Sequence, residues 1–387
     1  MRHVGIICEY NPFHAGHGYL LSQVREAKTV ICLMSGYFTQ RGEAAVLPPA
    51  ERAAMALAAG ADLVLELPFP FAASSARYFA TAGVTALQML GADALAFGSE
   101  SADLAALRCA ATRTLEADFA KKVADGAKNR GDAAVYFDAL GDDLPPNDIL
   151  AVEYVRAALS LGDSLSLYPV RRVGAGYHDT ALTQAYPSAT ALRKKMGEGG
   201  DVALDLMPET AEIWKTGVER WGVADTARLG PALLALLRTA RAKSPQTGAE
   251  NTIADCGGGL AERLMSAALE ATDYASLCRA AATKKYTDGR IRRVLLYLLA
   301  GVTYGDLEAA PAYLRLLGAN EKGREFLAKT RKTRTVPVVT KAADVAAIGE
   351  SALRQRELSA VAEGLYALCL PGHVRPGDLS VVPPVLL

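Results

Sequence analysis

The sequence lacks the features that mark membrane and secreted proteins. No apolar run approaches the roughly 20 residues of a membrane-spanning helix, because Asp62 and Glu66 interrupt the best candidate. The chain also opens without a signal-peptide pattern, since its first apolar run covers only Val4–Cys8. These absences argue against a membrane protein and predict a cytoplasmic one.

Residues that ligate metals are few and scattered. The six cysteines include no Cys-x-x-Cys pair, and the five histidines do not complete a zinc-site spacing. We therefore expect no metal site built by the protein, and we expect most cysteines to be buried, reduced thiols. The nucleophile elbow of the serine hydrolases is absent as well.

The chain has no net charge, because 42 lysines and arginines balance 42 aspartates and glutamates. The balance is uneven along the sequence: the segment from Arg279 to Arg334 carries 13 basic and 5 acidic residues, a net charge of +8. Such a segment predicts a polyanion-binding surface, with a solvated helix face as the alternative. The candidate RNA contacts in it are Lys284, Lys285, Arg290, Arg292 and Arg293.

What the sequence does have is an alternation of strand and helix patterns. Five short apolar runs lie between helical patterns in the first half of the chain: Val4–Cys8, Val30–Met34, Leu63–Leu67, Ala94–Phe97 and Leu165–Val170. Strands without polar alternation predict a parallel sheet covered on both faces. The expected fold is α/β, a doubly wound, Rossmann-like nucleotidyltransferase domain.

Three regions follow from the same patterns. Residues 1–198 read as the nucleotide-binding catalytic domain, and residues 199–330 read as a helical, basic domain. Residues 331–387 return to β-branched runs around one helix, which predicts a small α/β segment at the C-terminus.

The stretch His14-Ala15-Gly16-His17 carries the chemistry. It follows the first predicted strand and an Asn11-Pro12 turn, and it precedes the first helical pattern. In open α/β sheets, the first strand-to-helix connection is a preferred place for ligands. Amide groups at a helix start attract phosphate, and paired imidazoles can donate hydrogen bonds to charge that develops on a phosphoryl group. We therefore predict that His14 and His17 are catalytic.

Other segments fit the same nucleotide site. Gly98 ends the fourth predicted strand and allows close approach of a ligand. Asn147 and Asp148 open a helix, where an N-cap role is the alternative, and Arg172 follows a strand. Ser188, Thr190 and Arg193 lie at a helix start suited to phosphate oxygens, although Ser188 is also an ordinary cap.

Several segments together resemble one family, the tRNA(Met) cytidine acetate ligases of the His-x-Gly-His nucleotidyltransferase superfamily. The similar segments are Ile7–His17, Met34–Glu43, Asp62–Pro68, Phe97–Glu100, Pro146-Asn147, Gly174–Asp179, Ser188–Thr190 and Thr283–Thr287 with Arg290–Arg293. Their number and spread make the resemblance specific, and it covers most of the chain.

The resemblance implies an activity. ATP and acetate give acetyl-adenylate and pyrophosphate, and the acetyl group then passes to N4 of the wobble cytidine of elongator tRNA(Met). It also implies an ATP site, for which Mg²⁺ is expected to accompany the ATP substrate. With the segments above, the expected ATP-binding residues are Ile7, Cys8, Glu9, Tyr10, Asn11, Pro12, Phe13, His14, Ala15, Gly16, His17, Gly18, Tyr19, Leu20, Gly98, Asn147, Arg172, Val173, Ser188, Thr190 and Arg193.

Two departures from the family pattern concern the region after the second strand. Tyr37 stands where a small polar residue is expected, and Leu47–Arg52 replaces a more polar stretch. Gln40-Arg41-Gly42 is a candidate closing loop that would exclude water from a reactive adenylate. For Tyr177-His178-Asp179, a substrate contact and a structural strand end both remain open.

Two other functions remain as alternatives. A nucleotidyltransferase that adenylylates a small phosphate ester shares the histidine motif, but it does not require the basic helical region. A non-catalytic RNA-binding protein with a relic nucleotide fold is disfavoured by the presence of His14, His17 and Arg193.

Overall fold

A computed structural model of the chain describes most of its length. The described residues are 3–126, 132–140, 145, 148–172, 188–243, 252–380 and 383–387. Within these ranges every helix is too short or too polar to span a bilayer.

The predicted parallel sheet is present. Its strands are β1 His3–Cys8, β2 Thr29–Ser35, β3 Leu63–Leu67, β4 Ala94–Ser99 and β5 Ser166–Arg171. β1 pairs in parallel with β2 on one side and β4 on the other, while β3 and β5 extend the sheet outward. β2 and β3 are buried at every residue, as expected of strands covered on both faces. The predicted α/β fold is confirmed.

Later strands extend this sheet beyond β3. They are β6 Leu314–Ala319, β7 Val338–Val339 and β8 Val385–Leu386. β6 pairs antiparallel with β3, and β7 and β8 pair in parallel with β6, so the complete sheet is mixed.

The purely helical pattern predicted for residues 199–330 is therefore wrong at residues 314–319. A short apolar run between helices does not reveal its type by periodicity, and pairing with β3 decides it. The division of the chain at residues 198 and 330 stays a prediction, with β6 before residue 330 belonging to the sheet.

Helices follow most strands and then continue alone. Their bounds are α1 Ala15–Gln23, α2 Pro49–Ala58, α3 Ala76–Leu90, α4 Leu104–Thr114, α5 Ala117–Gly126, α6 Asp132–Leu140, α7 Ile149–Ser160, α8 Ala189–Gly197, α9 Pro208–Trp221, α10 Gly230–Lys243, α11 Leu260–Glu270, α12 Tyr274–Ala281, α13 Asp288–Ala300, α14 Tyr304–Glu308, α15 Glu321–Thr330, α16 Glu350–Cys369 and α17 Pro376–Ser380. Short 3₁₀ turns cover Phe71–Ala73, Ala203–Asp205, Thr226–Leu229 and Ala342–Ala347.

Both faces of the sheet carry an apolar layer. On one face, α3, α4, α7 and α15 cover the strands with side chains such as Phe79, Leu107 and Val152. On the other face, α1, α2, α8 and α9 bury Leu21 and Trp214, among others. Full burial of one large apolar side chain contributes about 1.5–3 kcal/mol to stability. The two layers hold the sheet as a rigid platform.

The remaining helices pack over one edge of that platform. α10 to α13 and α16 share an apolar cluster that includes Leu264, Leu295 and Tyr366. Phe38 and Phe69, from the loops after β2 and β3, belong to the same cluster. The helical part therefore lies beside the carboxyl ends of the parallel strands, where a ligand site is expected.

Candidate nucleotide site

The His14–His17 motif lies where the topology of the sheet predicts a ligand site. β1 ends at Cys8 and α1 begins at Ala15, so the motif follows the carboxyl end of a central strand. The strand order runs from β1 to β2 and β3 in one direction and to β4 and β5 in the other. The chain connections on the two sides of β1 therefore run in opposite directions along the sheet. Ligands bind in the crevice that forms at such a topological switch point.

Two histidines build the start of α1. His14 is the N-cap residue, and its Nδ1 accepts a hydrogen bond of 3.1 Å from the Gly16 amide. The His14 amide in turn donates to Nδ1 of His17 at 3.2 Å. The ring centroids lie 3.8 Å apart. A Cβ at residue 16 would lie 2.9 Å from Cε1 of His14, which explains the glycine between the histidines.

Both imidazoles are neutral hydrogen-bond donors. Burial, followed by the charges of Arg172 and Arg193, lowers the pKa of His14 to about 3. Burial also lowers the pKa of His17 well below its usual range, with smaller effects of His14 and the two arginines. Because each Nδ1 accepts a backbone amide, the proton of each neutral ring lies on Nε2. Each ring therefore has one Nε2–H to offer a ligand.

The start of α8 adds an arginine to this pair. Ser188 caps the helix, and its Oγ accepts from the Ala191 amide at 3.1 Å. Arg193 donates to the Asn11 carbonyl at 2.7 Å and to Oγ1 of Thr190 at 3.4 Å. The structure thus brings the predicted residues of α8 to the turn between β1 and α1. The positive charge of Arg193 is close enough to lower the pKa of both histidines.

The β4–β5 side supplies a second arginine. The Arg172 amide extends the pairing of these strands by donating to the Ser99 carbonyl at 2.9 Å. A Cβ at residue 98 would lie 3.4 Å from Cγ of Arg172, so the arginine side chain passes beside Gly98. Asn147, Val173 and the segment 174–179 lie outside the described residues.

Asp148 has a role that the sequence did not reveal. An N-cap of α7 was the alternative role for it, and Asp148 occupies the N-cap position, but its carboxylate makes no cap hydrogen bond. Instead, Oδ1 accepts from the Glu100 amide at 2.7 Å and Oδ2 accepts from the Ser101 amide at 3.0 Å. This buried carboxylate fixes the loop that follows β4 and Gly98.

The segment Ile7–Leu20 contains both buried and half-buried residues. Ile7, Cys8, Tyr10, Asn11, Pro12, Phe13 and Gly18 are buried, whereas Glu9, His14, Ala15, Gly16, His17, Tyr19 and Leu20 are half-buried. Tyr10 has a positive φ of 50°, and its hydroxyl lies 3.2 Å from Sγ of Cys32. Glu9 accepts from the Gln40 amide at 2.7 Å, which ties the turn to the predicted closing loop. The buried members shape the turn, and Leu20 packs partly against the apolar layer of the sheet.

Arg52 is a further residue that sequence reasoning missed. It is fully buried, and its guanidinium donates to the carbonyls of Glu9, Gly36 and Leu47. It therefore joins the ends of β1 and β2 to the start of α2. The only signal for this role in the sequence was the position of Arg52, a charged residue on the inward face of the mostly apolar helix α2.

Tyr37 packs against α16. It is buried, its hydroxyl donates to Glu363 at 3.3 Å, and its ring packs 5.1 Å from that of Tyr366 on α16. The Arg315 guanidinium lies 5.7 Å from the ring centroid. The two departures from the family pattern, at Tyr37 and at Leu47–Arg52, are therefore parts of the core beside the site.

Most predicted RNA contacts are engaged within the chain. Arg290 donates to the carbonyls of Asp255 and Gly257, and Arg293 donates to the Gln40 carbonyl at 3.4 Å. Arg292 forms an ion pair with Glu43. Lys285 donates to the Gly258 carbonyl at 3.0 Å, while Lys284 is exposed. Arg292 and Arg293 therefore join the helical part to the loop that follows β2, whereas the bonds of Arg290 stay within the helical part.

The chain matches a family model and several curated relatives. The model, described as HIGH Nucleotidyl Transferase, matches residues 1–377. The chain is 39% identical to the tRNA(Met) cytidine acetate ligase of Syntrophotalea carbinolica, over 88% of this chain and 85% of that protein. It is 33% identical to the protein of the same name from Listeria monocytogenes, over 100% of both chains.

Solved structures agree over the whole fold. The crystal structure of Thermotoga maritima TmcAL in its apo form I has a TM-score of 0.90 and 29% identity, covering 100% of both chains. The same protein bound with alpha-thio ATP, form II, has a TM-score of 0.87 over 100% of both chains. This chain therefore belongs to the HIGH nucleotidyl transferase family and, within it, to the tRNA(Met) cytidine acetate ligases.

Proposed function

We propose that this protein activates acetate with ATP and transfers the acetyl group to N4 of the wobble cytidine of elongator tRNA(Met). The observation that carries the proposal is the neutral pair His14 and His17 at the start of α1, with Arg193 beside it. The relatives named tRNA(Met) cytidine acetate ligase support the substrates. The neighbour bound with alpha-thio ATP supports the nucleotide.

In the first step, an acetate oxygen attacks the α-phosphorus of ATP, and the bond to the bridging oxygen of pyrophosphate breaks. No protein nucleophile is required, so orientation and charge stabilisation supply the catalysis. The Nε2–H groups of His14 and His17 donate to the phosphate oxygens as negative charge develops there. Ser188, Thr190 and Arg193 hold the departing pyrophosphate.

Mg²⁺ belongs to this proposal as a companion of ATP. In the described part of the chain, no group of three or more His, Cys, Asp or Glu side chains could hold a metal ion. Mg²⁺ is usually bound through substrate phosphates and water, with few protein ligands. The residues present fit that mode, in which the ion supplies charge neutralisation on the triphosphate.

In the second step, the cytosine amine attacks the acetyl carbon, and AMP leaves. The base must leave its stack in the anticodon loop to reach the mixed anhydride. Because the proposed substrate is tRNA, we expect the reaction to take place in the cytoplasm.

Mass spectrometry of tRNA nucleosides tests the proposal. Purified protein is incubated with ATP, ¹³C-labelled acetate and tRNA, and the nucleosides are then separated. We expect labelled N4-acetylcytidine that requires both ATP and acetate. Pyrophosphate exchange supported by a small phosphate ester instead of acetate, without acetylcytidine, would favour the simple nucleotidyltransferase. Failure to bind ATP would favour the non-catalytic RNA-binding protein.

A further inference from the structure

A large cavity adjoins the nucleotide site on the side of the helices. Its volume is about 710 Å³, within the range of cavities that hold small ligands. Glu43, after β2, and Arg193, on α8, line it from the sheet side. Tyr274 and Cys278 on α12, with Arg292 on α13, line it from the helical side. Both parts of the chain therefore contribute to the same cavity.

Arg193 connects this cavity to the histidine pair. Its Nη1 donates to the Asn11 carbonyl in the turn before α1, while its Nε lies 4.0 Å from Oε2 of Glu43. One guanidinium thus separates the Glu43 carboxylate from the turn that holds the two imidazoles. A ligand in the cavity would lie next to a nucleotide bound at α1.

Besides Arg193, three polar groups of the cavity lining are considered as contacts of a ligand: the Glu43 carboxylate as an acceptor, and the Arg292 guanidinium and the Tyr274 hydroxyl as donors. The Glu43 carboxylate is ion-paired with Arg292, and their side chains are 25% and 29% exposed. The Tyr274 hydroxyl is buried and meets the Cys278 thiol, which is a weak partner, but it has no partner that satisfies hydrogen-bond geometry among the described residues. A buried hydroxyl without a strong partner is costly, which points to a ligand that completes it.

The edge of cytosine complements this set. It presents an amine donor at N4 and acceptors at N3 and O2, and carboxylates are the side chains that accept from N4. Uracil presents an oxygen in place of the amine, which a carboxylate repels.

We propose that this cavity receives the target cytosine and that Glu43 accepts a hydrogen bond from its N4 amine. The Tyr274 hydroxyl and the Arg292 guanidinium donate to the acceptors of the base. This inference rests on the proposed function and adds the residues that read the base.

The position of Glu43 also accounts for the proton of the transfer step. The N4–carbon bond forms, the bond between the acetyl carbon and the phosphate oxygen breaks, and AMP leaves with the electron pair. The N4 proton passes to the Glu43 carboxylate and then to water. N4 becomes strongly acidic as its bond to carbon forms, so a carboxylate that is paired with an arginine suffices as the acceptor.

The nearby cysteine is not an acyl carrier. Burial raises the pKa of the Cys278 thiol, so the thiol stays protonated and is a poor nucleophile. In this proposal, the acetyl group passes directly from the adenylate to the base.

The test separates the two half-reactions in the full-length protein. Glu43→Gln keeps the size of the side chain and its hydrogen-bonding oxygen but removes the charge. We expect acetate-dependent ATP–pyrophosphate exchange to stay within about threefold of the unaltered protein. The rate of single-turnover transfer to tRNA should fall at least about 100-fold, which is the rate effect expected when a general base is removed. Equal losses in both assays, or normal transfer, would overturn the inference.

Two further variants complete the test. Tyr274→Phe removes only the unpartnered hydroxyl, so folding is preserved, and transfer should fall about fivefold while exchange is unchanged. Normal transfer by Tyr274→Phe would remove Tyr274 from the proposed set of contacts. Glu262→Gln breaks an exposed ion pair with Arg241 outside the cavity, and both activities should remain unchanged. Absence of exchange and of transfer in the unaltered protein would refute the proposed function itself.

Discussion

The two imidazoles of the candidate site also form part of the helix that carries them. His14 closes the first turn of α1, and His17 accepts the amide of His14 in return. This reciprocal cap fixes both rings before any ligand binds, so donor positions are already set. Catalytic and structural effects of a histidine substitution must therefore be separated by the choice of the new residue.

His14→Asn makes that separation. Asparagine is a good N-cap residue, so the start of α1 should persist, and the melting temperature should change by only a few degrees. The Nε2–H donor is lost, which should reduce acetate-dependent ATP–pyrophosphate exchange by at least about 100-fold. Exchange near the normal rate in a folded variant would remove His14 from the mechanism.

The pKa of His14 also predicts how stability depends on pH. Above about pH 6.5 the ring is neutral in the folded and the unfolded chain and has no effect. Below it, the unfolded chain binds a proton that the folded chain does not accept until the pH nears 3. Through His14 alone, the free energy of unfolding should therefore decrease by about 1.4 kcal/mol for each unit by which the pH drops below 6.5, and the lowered pKa of His17 acts in the same direction.

Urea unfolding of the unaltered protein and of His14→Asn checks this sign. Since asparagine does not titrate, the stability of the variant relative to the unaltered protein should rise by about 2 kcal/mol between pH 7.5 and pH 5. Carboxylates elsewhere affect both proteins equally. A constant difference would mean that His14 titrates normally in the folded protein.

Sequence reasoning succeeded best for residues whose contacts are with neighbours in the chain. His14, Gly16 and His17 act within one helical turn, and Ser188 caps α8 as a local pattern indicates. Arg52 and Asp148 were missed because their partners are carbonyls and amides brought near by the sheet. Their side chains do not differ in sequence from ordinary helix residues.

At the scale of elements, the loop after β2 is fitted to helix α13. Phe38 and Ala44 form an isolated antiparallel bridge, and Gly42 has a positive φ of 71° at the tip between them. The bridge and the turn at Gly42 therefore fix the conformation of the loop where it contacts α13. The same loop places Glu43 in the lining of the cavity beside the site.

Gly42→Ala tests this fit. A Cβ at residue 42 would lie 2.6 Å from the Arg293 nitrogen and 2.7 Å from the Arg292 carbonyl carbon, and these backbone atoms cannot rotate away. We expect a loss of about 2–4 kcal/mol in the free energy of unfolding, from backbone strain and displacement of the loop. Urea denaturation provides the measurement.

Gly301→Ala is the matched control. Gly301 has nearly the same φ, 68°, but a Cβ there meets nothing within 4 Å. This variant should lose only the backbone strain, about 1–2 kcal/mol. Equal losses in the two variants would show that the loop does not press against α13.

The first five strands were predictable from their short apolar runs, although β5 is only partly buried. β1 to β5 begin and end within about two residues of the apolar runs. β6 escaped because its apolar residues are embedded in a basic, helical stretch, and only its pairing with β3 identifies it. Pairing between segments that are far apart in sequence leaves no periodic signal in either one.

At the scale of the whole molecule, the helical part is joined to the sheet by hydrogen bonds across the chain. Tyr297 on α13 donates to the Ala73 carbonyl at 2.9 Å, and Tyr366 on α16 donates to the Ala45 carbonyl at 2.8 Å. The ion pair of Arg292 and Glu43 lies at the same junction. Two of the five predicted RNA contacts, Arg292 and Arg293, therefore hold the two parts together.

This use divides the predicted RNA contacts into two groups. Lys284 is exposed, whereas Arg290 is half-buried and donates to the carbonyls of Asp255 and Gly257. Lys284→Ala should therefore leave the melting temperature unchanged but weaken tRNA binding at low salt. Arg290→Ala should lower the melting temperature, because the two carbonyls lose their donor.

The salt dependence of tRNA binding measures the contribution of Lys284. A lost phosphate contact lowers the slope of log affinity against log salt by about 0.7–0.9. Fluorescence anisotropy of labelled tRNA over a range of salt concentrations gives this slope for each variant. Lys122→Ala, which removes an exposed lysine on α5 outside the basic segment, should leave the slope unchanged. If Lys284→Ala left it unchanged as well, the phosphate contacts would have to come from another face of the molecule.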